Sequence, residues 1–172
     1  MPELSAYEKQ VQDNPKASTH FSFAELTRTS TGLPNIPNEM EIASLVRLAE
    51  NCLEPMRSLV GPLRVTSGFR CPAVNTRVGG VKPYHGRRGS QHLYGEAADI
   101  SPILVSPTVL YNKTRESNIQ FDQLILEPGW VHVSTPPLGK PPRLQCLKAT
   151  LGTDGKMKYV EVANGSTSGS VQ

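Results

Sequence analysis

Cysteine is scarce in this sequence, charges of the two signs nearly balance, and no long apolar run is present. The three cysteines, Cys52, Cys71 and Cys146, are an odd number without a close pair. They build neither a disulfide framework nor a Cys-rich zinc module, and reduced thiols are the simplest reading. The formal net charge is only +3, a mild bias toward anionic partners that does not by itself indicate nucleic acid. Arg87 and Arg88 are adjacent, but no aromatic platform or recognisable nucleic-acid motif accompanies them. Apolar runs span only a few residues, which excludes a membrane-spanning helix. The first residues, MPELSAYEKQVQDNPKAST, are polar and lack a basic region followed by an apolar one. No secretory signal is therefore expected, and synthesis in the cytoplasm follows.

What is present describes an ordinary globular chain. Its 172 residues, 37% apolar and 19% charged, suffice for one domain with a core that needs no staples. Residues 1–19 read as a flexible arm, with Tyr7 and Val11 able to dock on the body. Ser22 and Glu25 have capping-box spacing, and residues 29–37 are rich in turn formers. From Asn38 to about residue 60, Met40, Ile42, Leu45, Val46, Leu48, Ala49, Leu53, Met56 and Leu59 recur with helical period, and Pro55 is expected to kink or end that helix. Leu63–Ser67 reads as a strand and 72–78 as a short helix. Residues 79–90 form a basic, glycine-containing loop. Ala97–Ile100 and Leu104–Val105 read as extended, and 107–117 as a helix with Pro107 in its first turn. Phe121–Glu127 and Trp130–Ser134 read as strands joined by a Pro128-Gly129 turn. Two more, near 143–151 and 157–163, flank Thr153-Asp154-Gly155. The tail, 164–172, is expected to be disordered. Helices first and mostly strands after imply an α+β domain over residues 20–163, an antiparallel sheet with flanking helices.

Four histidines occur, His20, His85, His92 and His132. His92 lies seven residues before Asp99, with Gly95 between them to permit a sharp turn. His132 sits between Val131 and Val133, where a core role and a ligand role are both open. Asp99 alone fits a helix cap or an ion pair equally well. Taken together, two imidazoles and one carboxylate leave the fourth position of a tetrahedral zinc for water. A closed structural zinc would require four protein ligands, and the cysteines are badly placed for that.

The runs Ser67-Gly68-Phe69-Arg70, Ser90-Gln91-His92-Leu93-Tyr94-Gly95-Glu96-Ala97-Ala98-Asp99 and Trp130-Val131-His132 resemble the M15-type zinc peptidases of the D-Ala-D-Ala carboxypeptidase kind. That group includes phage endolysins and vancomycin-resistance dipeptidases and shares its fold with the hedgehog signalling domain. FDQLILE, ahead of WVHVS, is similar to the phage and prophage branch. The resemblance spans about residues 20–134, and three ordered motifs make it specific. It implies one zinc on His92, Asp99 and His132. Arg70 would hold the substrate's carboxylate, a task suited to a planar guanidinium, and Ser90 would bond substrate or steady the zinc loop.

The resemblance also implies a general base. In parts of the family an acid stands three residues before the last histidine, but here that position is Gly129. Glu127, across the Pro128-Gly129 turn, takes the role, with Asp122 and Glu96 in reserve. Gln123 and Trp130 are expected to line the cleft or orient a ligand. The basic loop around His85 reads as a lid over an anionic wall polymer or as a solvated insertion, and His20 as structural. The implied activity is hydrolysis of peptidoglycan stem peptides at D-Ala-D-Ala or L-Ala-D-Glu. The expected protein is a monomeric phage or prophage lysin, reaching the wall after release or carried in a virion. Neither nucleic acid nor membrane insertion is expected. The rival reading is a non-catalytic, zinc-stabilised binding or virion structural module on the same fold.

Overall fold

Local capping decides where the N-terminal helices begin in the computed structural model, which describes residues 3–164. Helix α1 (Ala6–Asp13) and helix α2 (Phe23–Thr27) each open on a complete capping box, Ser5 with Glu8 and Ser22 with Glu25. The box at Ser5 satisfies amides that a bare helix start leaves unpaired. The segment read from sequence as a loose arm is thus helical over Ala6–Asp13. Tyr7 and Val11 pack against the core, and the hydroxyls of Tyr7 and Thr27 meet at 2.8 Å.

The long periodic stretch folds as one rod. Helix α3 (Glu39–Leu48) begins at the Asn38–Glu41 capping box, a single π-helical turn covers Ala49–Leu53, and helix α4 (Glu54–Val60) completes it. Proline lacks an amide hydrogen and crowds the preceding turn. The widened turn ahead of Pro55, with the Glu54 amide donating to the Ala49 carbonyl, absorbs that crowding, so the rod continues through the proline.

Six strands follow: β1 (Leu63–Ser67), β2 (Ala97–Pro102), β3 (Gln123–Glu127), β4 (Trp130–Ser134), β5 (Gln145–Leu151) and β6 (Met157–Val162). Helix α5 (Pro72–Arg77) and a 3₁₀ turn (Gln91–Tyr94) lie between β1 and β2. Helix α6 (Pro107–Arg115) links β2 to β3. Leu104 and Val105, expected to be extended, form the bend that leads into α6. The sheet order is β1-β2-β4-β3-β5-β6, and every pair is antiparallel except β3 with β5. That parallel pair departs from a purely antiparallel sheet because residues 135–144 cross the start of β3, so β5 begins at the end of the sheet where β4 finishes and runs in the direction of β3. Of the tail expected to be disordered, all but Asn164 lies outside the described residues.

Strand side chains alternate between faces. Ala98, Ile100, Leu124, Val131, Val133 and Cys146 are fully buried in one core with the rod and with Leu110 and Tyr111 of α6. The intervening residues, Asp99, Ile125, Glu127, Trp130 and His132, occupy the opposite, open face. Each is partnered on it in register, Asp99 with His132, His132 with Ile125, and Trp130 with Glu127. Among the described residues no helix is long and apolar enough to cross a membrane.

Candidate metal centre

Strand pairing brings two of the three candidate ligands together. Asp99 at the middle of β2 stands directly opposite His132 on β4, although thirty-odd residues separate them in sequence. His92 arrives from the 3₁₀ turn, which ends at Gly95 with φ +66°, a left-handed conformation that glycine adopts freely. A Cβ on Gly95 would also stand 2.6 Å from the Glu41 carbonyl oxygen. This glycine therefore both reverses the chain toward β2 and lets the turn lie against α3.

One carbonyl aims the first histidine. His92 is buried, and its Nδ1 lies 2.7 Å from the carbonyl oxygen of Gly68. A carbonyl can only accept, so Nδ1 carries the hydrogen and, in the neutral ring, Nε2 carries the lone pair. Gly68 has no room for a side chain, because a Cβ there would sit 2.2 Å from the Leu26 backbone oxygen. Gly68→Ala should therefore push β1 away from α2 and move the carbonyl that aims His92. The expected result is a loss of about 1–3 kcal/mol of stability in denaturant titration. Metal affinity should weaken by about 10–100-fold in a competition assay.

The Nε2 of His92 faces His132 Nδ1 at 3.3 Å and Asp99 Oδ1 at 3.3 Å, and His132 Nδ1 lies 2.9 Å from the same oxygen. One ligand atom from each residue fits within 4.8 Å of the others, a group that could hold a metal ion. Burial pushes the His92 pKa down, against the pull of Asp99. Burial works against the charge of Asp99 as well, but the two histidines outweigh it and hold its carboxyl far below the usual range. One candidate ligand atom from each of the three residues thus converges, with a carboxylate among them, and this donor set fits zinc rather than the oxygen-seeking cations.

Asp99 has a second partner. Its Oδ2 accepts from Arg70 Nη2 at 2.6 Å, while Arg70 Nε donates to Ser67 Oγ at 2.8 Å. Arg70 therefore orients a candidate ligand, a role the sequence motif alone did not reveal. A pocket of about 160 Å³ opens beside it, lined by Arg28, Thr29, Ser30, Thr66 and Ser67.

Glu127 closes β3 and cross-pairs with Trp130 through the hairpin turn at Pro128-Gly129. The hairpin accounts for the five-residue spacing to His132, since it folds Glu127 back onto the face that His132 occupies. Burial raises the Glu127 pKa, opposed by the Tyr159 hydroxyl and by His132. Trp130, 37% exposed, flanks Glu127 as an accessible wall. Ser90 precedes the 3₁₀ turn without capping it. Gln123 opens β3 and donates to Gln145 Oε1 at 2.7 Å.

The two reserve acids are committed elsewhere. Asp122 is buried and accepts from Arg143 Nη2 at 2.6 Å, from Arg143 Nε, and from Gln91 Nε2 at 3.0 Å. Glu96 is buried against Arg88 through two bonds of 2.9 and 3.1 Å. Arg88 also stacks 4.0 Å from the centre of the Tyr94 ring. Part of the basic loop is thereby anchored to the body, while His85 stays exposed at its tip against Tyr84. His20 pairs with Glu54 at 2.8 Å, far from the ligands.

Tyr159 of β6 is the neighbour that sequence reasoning missed. Its alternation with Met157 and Glu161 was visible, but its place on the face of Glu127 depends on β3, β5 and β6 lying side by side.

Two imidazoles and one carboxylate that could hold a metal while leaving a position open are the kind of ligand set metallopeptidases use. The sequence agrees. The model of the family described as Peptidase M15 matches residues 19–134, more than half of the chain, and the chain belongs to that family. No protein among the curated sequences compared matches it.

Proposed function

We propose that the protein is a zinc peptidase of peptidoglycan stem peptides, cleaving at D-Ala-D-Ala or L-Ala-D-Glu, in the manner of a phage or prophage lysin. What supports this reading is the convergence of His92, Asp99 and His132 on the open sheet face, which Glu127 shares. Those three residues would hold the zinc, which when bound supplies polarisation of a carbonyl and a lowered pKa for water. Glu127 takes the proton of the attacking water on its carboxylate and returns it to the leaving amine. Its burial places the carboxyl nearer neutrality than a solvated glutamate, which suits both halves of that cycle.

Arg70 serves two groups. Nη2 and Nε hold Asp99 and Ser67, and the rest of the guanidinium borders the small pocket that Arg28 also lines. Two arginines and four hydroxyl groups around that pocket suit the carboxylate of a stem peptide. Both candidate bonds lie in peptides that present such a carboxylate. Trp130 and the exposed part of β3 and β4 then form the wall along which the peptide lies.

The test is mass spectrometry of purified peptidoglycan after incubation with zinc-loaded protein, chelated protein and Glu127→Gln. New peptide termini that need both zinc and Glu127 are expected, and their masses identify the bond. Bound zinc with no new termini across several wall chemotypes would favour the binding module instead.

A further inference from the structure

The matched family region ends at residue 134 with β4, yet the sheet continues through β5 and β6 and carries its open face onward. Register defines a row across that face. Trp130 pairs with Glu127, Leu126 on β3 pairs with Lys148 on β5, and Ala149 pairs with Tyr159 on β6. One step beyond Leu126, the row runs Trp130, Glu127, Ala149, Tyr159. Neighbours in such a row project to the same side of the sheet.

Strands are spaced by about 4.8 Å, so Glu127 and Tyr159 start about 10 Å apart. Both side chains are long, and the only residue between them ends at Cβ. Ala149 therefore leaves a gap across which a phenol can lean toward a carboxylate. Tyr159 is 52% exposed, as an unobstructed side chain on an open face should be. The two groups act on each other electrostatically. The hydroxyl works to lower the Glu127 pKa, and Glu127, after burial, raises that of Tyr159. Asp99 acts on Tyr159 in the same sense, which places the phenol within the field of the metal ligands.

We infer that Tyr159, supplied by the hairpin beyond the family region, is a positioning residue whose hydroxyl donates to Glu127 and aims its carboxylate at the reacting water. The inference rests on the reading of Glu127 as general base. A carboxylate at the end of a strand, next to a turn containing Gly129, has free torsions, and a donor fixed on a neighbouring strand removes them. Trp130 bounds the acid on one side of the row, and the phenol bounds it on the other.

The test compares zinc-loaded wild type, Tyr159→Phe and Ala149→Val. Steady-state kinetics is combined with a ¹³C NMR titration of the Glu127 carboxyl carbon. Tyr159→Phe is expected to lower kcat about tenfold with KM and zinc content unchanged, the size of one lost hydrogen bond to a charged group. The acid limb of kcat and the Glu127 titration should both move to higher pH, because the donor that favoured the carboxylate is gone. Ala149→Val fills the gap and should reproduce both shifts while keeping the phenol. An unchanged Glu127 titration in Tyr159→Phe overturns the inference. So does a rise in KM alone, which would make Tyr159 a substrate contact. Full turnover by Glu127→Gln would instead overturn the assignment of the base, a separate failure, since the carbon titration reads the Tyr159 contact without turnover.

Discussion

Replacing Glu127 by glutamine is expected to lower kcat about 100- to 10,000-fold while zinc content stays at the wild-type level. Glutamine preserves the size and hydrogen-bonding reach of the side chain but cannot take up a proton. Glu127 lies outside the group of ligand atoms that meet within 4.8 Å, so the metal site should remain intact. Release of new peptide termini under saturating substrate, with metal measured by atomic absorption on the same sample, checks both halves. A parallel loss of zinc and turnover would make Glu127 a metal ligand rather than a base. The reserve acids predict a different outcome. Asp122 and Glu96 are buried in ion pairs with Arg143 and Arg88, so neutralising either disturbs folding before it disturbs chemistry.

Removal of the Asp99 carboxylate is expected to have the second large effect, on two properties at once. Asp99→Ala removes a candidate ligand, and zinc affinity should fall by at least about 100-fold, beyond the usual loss for an outer partner. It also strands Arg70, whose side chain is only 16% exposed and whose short ion pair is to Asp99. An uncompensated charge at such a site costs about 3–5 kcal/mol. The metal-free variant should therefore unfold at clearly lower denaturant than metal-free wild type. Adding Arg70→Met should restore part of the stability and none of the zinc binding, a coupling that a double-mutant cycle measures. Stability unchanged in Asp99→Ala would show that solvent reaches Arg70 and screens it.

The same residues set the acid response of the metal-free protein. His92 and Asp99 both have folded pKa values below their ordinary values of 6.5 and 3.8. In each case the unfolded chain binds the proton more readily, so acid favours unfolding. The contribution of His92 is fully present above its ordinary value and is lost as the pH falls below about 6.5. That of Asp99 is present above about 3.8 and is lost at lower pH still. Denaturant midpoints recorded between pH 8 and pH 3 should decline as the pH falls, and below about pH 3.8 Asp99→Ala should decline less steeply than wild type.

How much of this was legible from sequence can be followed residue by residue. The rod from Asn38 to Val60 announced itself through helical period and a capping box, because both signals act within a few residues. The local elements from β1 to β4 were read for the same reason, as alternation and turn chemistry are short-range properties. His92, Gly95 and Asp99 also form a local unit, in which the glycine reverses the chain between one ligand and the strand that carries the next. The candidate ligand set was visible chiefly through the family resemblance that three motifs in a fixed order carry.

Everything that depends on which strands become neighbours required the folded molecule. Asp99 meets His132 because β2 pairs with β4 and not with β3, and nothing in either segment alone states that preference. Three acids stood near the motifs in sequence, and only tertiary pairing separates them. Arg143 and Arg88 neutralise Asp122 and Glu96, while the hairpin turn leaves Glu127 on the face of the ligands. Arg70 gained a second role for the same reason, since its bond to Asp99 spans the pairing of β1 with β2. Tyr159 is the furthest case, as its distance from Glu127 is set by a parallel step from β3 to β5 and by the small size of Ala149. Short-range chemistry determined the elements and the candidate ligands. The packing of one apolar sheet face against the helices decided the rest, because burying that face turned the alternate residues of separate strands onto a single open surface.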